Sequence, residues 1–215
     1  MTMDDKIKEL LAEEGITTLR PAQEKAVKQG LLEGHNQLIT TPTASGKTLI
    51  AEMAFLNHIL HGRGKAVYIV PLKALATEKH KEFRRKYGSR MKIALSIGDL
   101  DSTDNYLSDY DLIICTAEKL DSLLRHHAPW LRYVSVLIID EIHLLNDPGR
   151  GPTLEIIIVM LRKLLHDIQI LGLSATIGNP DELAEWLDAE LIEDIWRPVK
   201  LHKGVYLDNK VEFED

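Results

Sequence analysis

Short, nearly uninterrupted apolar runs recur along this chain, at residues 37–41, 66–70, 93–97, 112–116, 134–140 and 168–173. Runs of this kind are apolar on both faces of a strand, so each face of the sheet they form has to be covered. Helix-like stretches lie between most of them, at 48–60, 72–87, 119–126 and 153–165. Strands alternating with helices predict an α/β fold, with a mainly parallel sheet and helices on both faces. Two helices are expected ahead of the first strand. Residues 4–14 carry Ile7, Leu10 and Leu11 at helical spacing and stop at Gly15, and a second helix follows Pro21 with Ala22, Ala26 and Val27 inward. Near the end, Pro180 opens a helix through Trp186. The character changes after residue 198. Residues 205–213 read as two short strands around Asp208-Asn209, a hairpin of the kind that would begin a further domain. The expected division is one domain over 1–198, then a linker and hairpin over 199–215.

A chain of 215 residues, 45% hydrophobic and 27% charged, can bury a sizeable core without metal or disulfide staples. Its one cysteine, Cys115, lies in the apolar run Leu112-Ile113-Ile114-Cys115, which predicts a buried strand thiol. The amino terminus has no signal-peptide pattern, and no apolar stretch approaches the ~20 residues that span a bilayer. The expectation is a soluble, cytoplasmic protein with no membrane partner. A net charge of −7 weighs against nucleic acid as a partner. The weight is small, because backbone N–H groups and helix N-termini also hold phosphates and carry no formal charge. Lys79, Lys81, Arg84, Arg85, Lys86, Arg90 and Lys92 form a basic run, read as a solvated helix face. His126-His127 lacks metal-site spacing and reads as a surface pair, and Trp130, Trp186 and Trp196 read as packing anchors.

Two segments carry chemistry. Pro42-Thr43-Ala44-Ser45-Gly46-Lys47-Thr48 follows one apolar strand and opens a helix. Gly46-Lys47-Thr48 match the phosphate-loop signature, while Thr41 stands where its first glycine falls. In such a loop the N–H groups around Ser45 to Thr48 converge on phosphate oxygens at a helix N-terminus. Lys47 would neutralise β- and γ-phosphate charge, and the Thr48 hydroxyl would ligate Mg²⁺. Val136-Leu137-Ile138-Ile139-Asp140-Glu141 is an apolar strand ending in two acids. Ligands of open α/β sheets bind at the carboxyl ends of strands. Asp140 is placed there to hold the Mg²⁺ shell, and Glu141 to orient and polarise a water. A loop alone could be a capped turn, and two acids alone a solvated turn. Their pairing points to a nucleoside triphosphatase.

These motifs and others in order from Leu19 to Val205 make the chain resemble the first RecA-like domain of a superfamily two DExH helicase. Within that superfamily it is most similar to the archaeal DNA repair helicases of the Ski-like group. The resemblance implies a RecA-like P-loop fold and assigns further roles. In Arg20-Pro21-Ala22-Gln23, Gln23 would read adenine and favour ATP. The whole loop, with Thr43, Ala44, Ser45, Gly46, Lys47 and Thr48, matches this group's own form. Pro71, Leu72 and Lys73, Gly98 and Asp99, and Thr116, Glu118 and Lys119 would contact a nucleic-acid strand. Lysine at position 73 keeps the charge of the arginine common there without its bidentate geometry. Arg150-Gly151-Pro152-Thr153-Leu154-Glu155 resembles a segment typical of the Ski-like group, and Gly178-Asn179-Pro180 and Trp196-Arg197-Pro198-Val199 follow the archaeal pattern. His143 and the hydroxyls of Ser174 and Thr176 would couple hydrolysis to strand movement by bonding back to the acid box Asp140-Glu141-Ile142-His143.

The implied activity is ATP-dependent 3′-to-5′ unwinding in replication-fork repair or recombination, with ATP and Mg²⁺ as cofactors. The implied partners are single-stranded or forked DNA and a second RecA-like domain carrying an arginine finger. The chain then reads as a fragment that ends at the linker to that second domain, weak or inactive alone. Three other readings were weighed. An RNA helicase of the same group is not separated by these residues. A small-molecule kinase would have no use for Ser174-Ala175-Thr176 or Thr116-Ala117-Glu118-Lys119. A nucleotide-binding module without turnover fits poorly with intact Lys47, Asp140 and Glu141.

Overall fold

The computed structural model describes residues 4–98, 104–199, 204–207 and 210–213. Seven strands form one parallel sheet: β1 (Gln37–Thr40), β2 (Lys65–Val70), β3 (Ile93–Ser96), β4 (Leu112–Thr116), β5 (Val134–Asp140), β6 (Gln169–Ser174) and β7 (Glu190–Glu193). Their order across the sheet is β3-β4-β2-β5-β6-β1-β7. The helices are α1 (Asp5–Glu13) and α2 (Pro21–Lys28), ahead of the sheet, and α3 (Lys47–Leu60), α4 (Lys73–Tyr87), α5 (Ala117–Arg125), α6 (Gly151–Leu164) and α7 (Pro180–Leu187), between its strands. The expected elements are all present, within a residue or two of their predicted ends. Strand β7 is additional. It pairs in parallel with β1 through Gln37↔Glu190 to Thr40↔Glu193, and its short sequence Glu-Leu-Ile-Glu carries no apolar run.

Period-two alternation divides the core between the two faces. Val136, Ile138, Tyr68 and Leu171 point to one side, where α1 to α4 pack through Ile7, Ala26, Phe55 and Phe83. Leu137, Ile139, Val67 and Ile113 point to the other, covered by α5 to α7 through Leu120, Leu123, Ile157 and Leu187. Cys115 lies fully buried on this second side, and burial pushes its thiol up to about 12. Trp130 is buried as expected, and His126 and His127 are exposed. No helix of the described residues is long and apolar enough to cross a membrane. At the carboxy end, β8 (Gly204–Leu207) and β9 (Lys210–Phe213) pair antiparallel as the expected hairpin. Its turn residues Asp208 and Asn209 lie outside the described residues.

The basic run is not simply a solvated face. Lys79 and Lys86 both pair with Glu82, Lys86 also pairs with Glu52, Arg85 pairs with Glu14 and Arg90 with Glu13. These bonds tie α4 and the residues after it to α1 and α3.

Candidate nucleotide and strand site

In a parallel sheet every strand delivers its following loop to the same edge. Along that edge the motifs fall in spatial order: the phosphate loop after β1, Ser174-Ala175-Thr176 after β6, the acid box after β5, Pro71-Leu72-Lys73 after β2, Thr116 after β4, and Gly98 after β3. Neighbouring strands lie about 4.8 Å apart. The strands that carry the phosphate loop and the acid box are therefore about 10 Å apart, and the acid box is next to the first of the expected strand-contacting segments.

The phosphate loop is held by its own side chains. Thr41 and Ser45 share a hydroxyl–hydroxyl hydrogen bond of 2.6 Å, and Thr41 N–H donates to Ser174 O at 3.3 Å. Arg20 Nη1 donates to Ala44 O at 2.8 Å, and Gln23 Nε2 donates to Gly46 O at 3.0 Å. Ala44 (φ 64°) and Gly46 (φ 97°) are both left-handed, which turns consecutive N–H groups toward the start of α3. The positive φ calls for glycine at Gly46, and a Cβ there, 2.4 Å from Gln23 Nε2, would push that amide off its bond to the loop. Lys47 Nζ donates to Thr41 O at 2.8 Å and Pro42 O at 3.4 Å. Burial holds its ammonium below the ordinary lysine value, against the opposing pull of Glu141 and Asp140. A cation seated on neutral carbonyls beside a helix N-terminus fits a polyphosphate. A cavity of about 370 Å³ opens beside the loop, lined by Gln23, Gly46, Thr48, Leu49 and Glu52 among others. Gln23 is 2% exposed, and its amide oxygen accepts from Arg20 N–H at 2.8 Å. Its amide therefore braces the loop as well as lining that cavity. A larger cavity of about 1190 Å³ near His35, His58 and Asp167 lies at the opposite end of the sheet, away from every motif.

The acid box sits on a tight turn. Glu141 is left-handed at φ 54°, an uncommon conformation for this residue that is typical of functional sites. Asp140 Oδ1 accepts from Glu141 N–H at 3.1 Å, and Oδ2 accepts from the Tyr68 hydroxyl at 3.3 Å. Burial, and then the charge of Glu141, push the Asp140 carboxyl above the usual range, while the positive charge of Lys79 draws it partly back. His143 Nδ1 lies 3.3 Å from Glu141 Oε2 and 3.4 Å from Ser174 Oγ. The Ser174 hydroxyl thus reaches back toward the box. Thr176 is exposed beyond the end of β6, and among the described residues the bond back to the box comes from Ser174 rather than Thr176.

The oxygen donors suit Mg²⁺. The described residues hold no cluster of three or more His, Cys, Asp or Glu side chains that could take a metal. Mg²⁺ needs no such cluster, since it is bound through one or two protein oxygens, water and phosphate. Thr48 Oγ1 already has a cation against it, the Lys79 ammonium at 3.4 Å. The same ammonium acts on Asp140.

The expected strand-contacting residues divide. Leu72 and Lys73 are exposed at the start of α4, with Pro71 half-buried, and Glu118 and Gly98 are exposed. Thr116 is 4% exposed and holds the N-cap position of α5 without a side-chain cap bond, and Glu118 is the residue of that first turn that reaches the surface. Lys119 is a correction. Its side chain is 2% exposed and ion-paired with Asp104 at 3.0 Å, because α5 turns this position inward with Leu120 and Leu123. It fastens the segment before the 3₁₀ turn Asn105–Asp109 to α5 and presents no charge to a strand. Asp99 lies outside the described residues.

Arg20, Tyr68 and Lys79 were missed as site residues. Arg20 had a signal, since it opens the segment quoted for Gln23. Tyr68 and Lys79 had none, because only the tertiary structure brings them to Asp140 and Thr48.

A parallel sheet with a phosphate loop after one strand and an acid pair two strands away is the arrangement of a RecA-like P-loop domain. The chain belongs to the DEAD/DEAH box helicase family, whose profile matches residues 20–183. It is 55% identical to the ATP-dependent DNA helicase Hel308 of Pyrococcus horikoshii, over 100% of this chain and 30% of that protein. It is 58% identical to the ATP-dependent DNA helicase Hel308 of Methanocaldococcus jannaschii, over 97% of this chain and 18% of that protein. Among solved structures it is similar to the DUF1998 helicase MrfA bound to DNA and AMPPNP, with TM-score 0.76 and 28% identity over 89% of this chain and 29% of that one. The chain spans less than a third of the length of these relatives.

Proposed function

We propose that the chain is the first motor domain of an ATP-dependent 3′-to-5′ DNA helicase acting in replication-fork repair or recombination. The observation that carries the reading is the order of motifs along one sheet edge, from the phosphate loop through the acid box to exposed Leu72 and Lys73. DNA is favoured over RNA because the two relatives described above are both named as DNA helicases. Polarity and the repair role follow from the family resemblance.

Lys47 would leave the carbonyls of Thr41 and Pro42 for the β- and γ-phosphates, while the N–H groups around Ser45 to Thr48 hold the phosphate oxygens. The Thr48 hydroxyl and the Asp140 carboxylate would hold Mg²⁺, which when bound neutralises charge on the phosphates. Glu141 would orient and polarise the attacking water. Its contact with His143, and that of His143 with Ser174, relays the state of the acid box to β6 and to Thr41 in the phosphate loop. Lys73 and the N-termini of α4 and α5 would hold the phosphates of one strand. A second RecA-like domain would complete the site with an arginine finger, a group worth about 10³–10⁵ in rate where it has been measured.

The test is nucleotide binding and hydrolysis by the chain and by the full-length protein. Lys47→Ala is expected to abolish nucleotide binding in both. The full-length protein is expected to show hydrolysis stimulated by single-stranded DNA and unwinding of DNA forks, and the chain alone little turnover. Unchanged affinity in Lys47→Ala would remove the loop assignment. Unwinding of RNA duplexes in place of DNA forks would reassign the substrate.

A further inference from the structure

Helices α3 and α4 meet along a line of alternating charge. On α4, Lys79, Glu82, Phe83 and Lys86 recur at i, i+3, i+4 and i+7, which puts them on one face. That face meets Thr48 and Glu52 of α3, one turn apart. Lys79 Nζ lies 3.4 Å from Thr48 Oγ1 and 3.0 Å from Glu82 Oε2, and 5.6 Å from the centre of the Phe83 ring. Glu82 Oε1 pairs with Lys86 at 3.0 Å, and Lys86 pairs with Glu52 at 2.9 Å. The Lys79 side chain is 20% exposed, so it is held against α3 and is not extended into solvent.

We propose that Lys79 is a resident counter-cation of the magnesium position, a positioning residue that Mg²⁺ must displace from the Thr48 hydroxyl when nucleotide binds. The proposal rests on the reading of Thr48 and Asp140 as the metal ligands. Both cations call on the same hydroxyl oxygen, and two positive charges in that space repel. The displaced ammonium keeps Glu82 and the face of Phe83, so it has a seat to withdraw to. Because Lys79 lies on α4, six residues after Lys73, metal entry acts directly on the helix whose first residue is an expected strand contact. None of the motifs read from the sequence gives Lys79 a role at the nucleotide.

The experiment follows binding of a fluorescent N-methylanthraniloyl-ADP to the chain by anisotropy across a Mg²⁺ titration. Lys79→Met keeps the aliphatic stem and removes the charge. It is expected to lower the Mg²⁺ concentration for half-maximal tightening about fivefold or more, the lower range of ordinary site-to-site coupling. It is also expected to weaken binding of the analogue in EDTA. Lys79→Arg keeps the charge and is expected to stay near the wild-type midpoint. Lys79→Gln is a second charge-removing variant, and a thermal melt of each variant reports its fold. A midpoint that is unchanged or raised in both Lys79→Met and Lys79→Gln overturns the proposal. A wild-type chain whose binding of the analogue is insensitive to Mg²⁺ or to Lys47→Ala overturns the site reading itself, and the proposal with it.

Discussion

Glu52 is the buried acid whose loss has the most to reveal. It is 1% exposed in the middle of α3. One carboxylate oxygen accepts from Lys86 at 2.9 Å, and the other accepts a short hydrogen bond from the Tyr87 hydroxyl. Glu52→Ala would leave an ammonium and a phenol without their partner at the α3–α4 contact. Removing one member of a buried ion pair costs about 3–5 kcal/mol. Here Lys86 keeps Glu82 at 3.0 Å and is 15% exposed, which points to the lower end, about 3 kcal/mol. For a domain of this size that lowers Tm by about 6–12 °C. Tyr87→Phe removes only the hydroxyl and is expected to cost about 1 kcal/mol. Urea and thermal unfolding followed by circular dichroism measure both. A loss below about 1 kcal/mol for Glu52→Ala would refute the reasoning, since the pair would then contribute no more than an exposed one.

The pH dependence around this pair has a definite sign. Burial raises the Glu52 carboxyl above its usual value, more than Lys86 and Tyr87 lower it. Its contribution to stability is present below the unfolded carboxyl value and is lost as pH rises through the folded one. Burial lowers the Lys86 ammonium, but Glu52 and Glu82 together outweigh this and raise it. That contribution persists at neutral pH and is lost only in strong alkali, above the ordinary lysine value. Glu52→Gln is expected to flatten the first dependence and to weaken the second.

Glu141→Gln is expected to keep nucleotide affinity while hydrolysis by the full-length protein falls about 10²–10⁴-fold, the usual contribution of a general base. Equilibrium titration and single-turnover kinetics separate the two, and retained turnover would move the base elsewhere. Gly172 of β6 has no room for a side chain, since a Cβ there would stand 2.8 Å from Ile142 Cδ1 and 3.1 Å from Leu38 Cδ1. Gly172→Val is therefore expected to cost about 1–3 kcal/mol by overpacking, read by urea unfolding, and a neutral change would mean that the acid-box turn is softer than its packing indicates. Cys115 is fully buried with its thiol pushed up to about 12. It is expected to resist Ellman's reagent at pH 8 in the folded chain and to react at once in guanidinium.

The strands were legible because burial on both faces leaves an unbroken apolar run, as in Val136-Leu137-Ile138-Ile139. Strand β7 was not, because an edge strand buries little, and Glu190 and Glu193 at its ends are exposed. The phosphate loop and acid box were legible because their chemistry needs particular residues at fixed offsets on one strand–turn–helix unit. Contacts between separate units leave no such local trace. That is why Tyr68 beneath Asp140 and Lys79 against Thr48 escaped notice. It is also why Lys119 was misread. The sequence shows a lysine after a motif threonine, and only the packing of α5 shows that it turns inward to Asp104.

Lys47, seated on the carbonyls of Thr41 and Pro42 at 2.8 Å and 3.4 Å, has a further consequence, for selectivity. A small anion such as inorganic phosphate can meet the N–H groups of the loop but must also draw the lysine off two acceptors it already holds. A polyphosphate spans both positions and recovers in one ligand what the lysine gives up. On the proposed reading of the loop, the folded-back lysine would work as a threshold on ligand length. It would let the loop pass over single phosphates and answer to nucleotides.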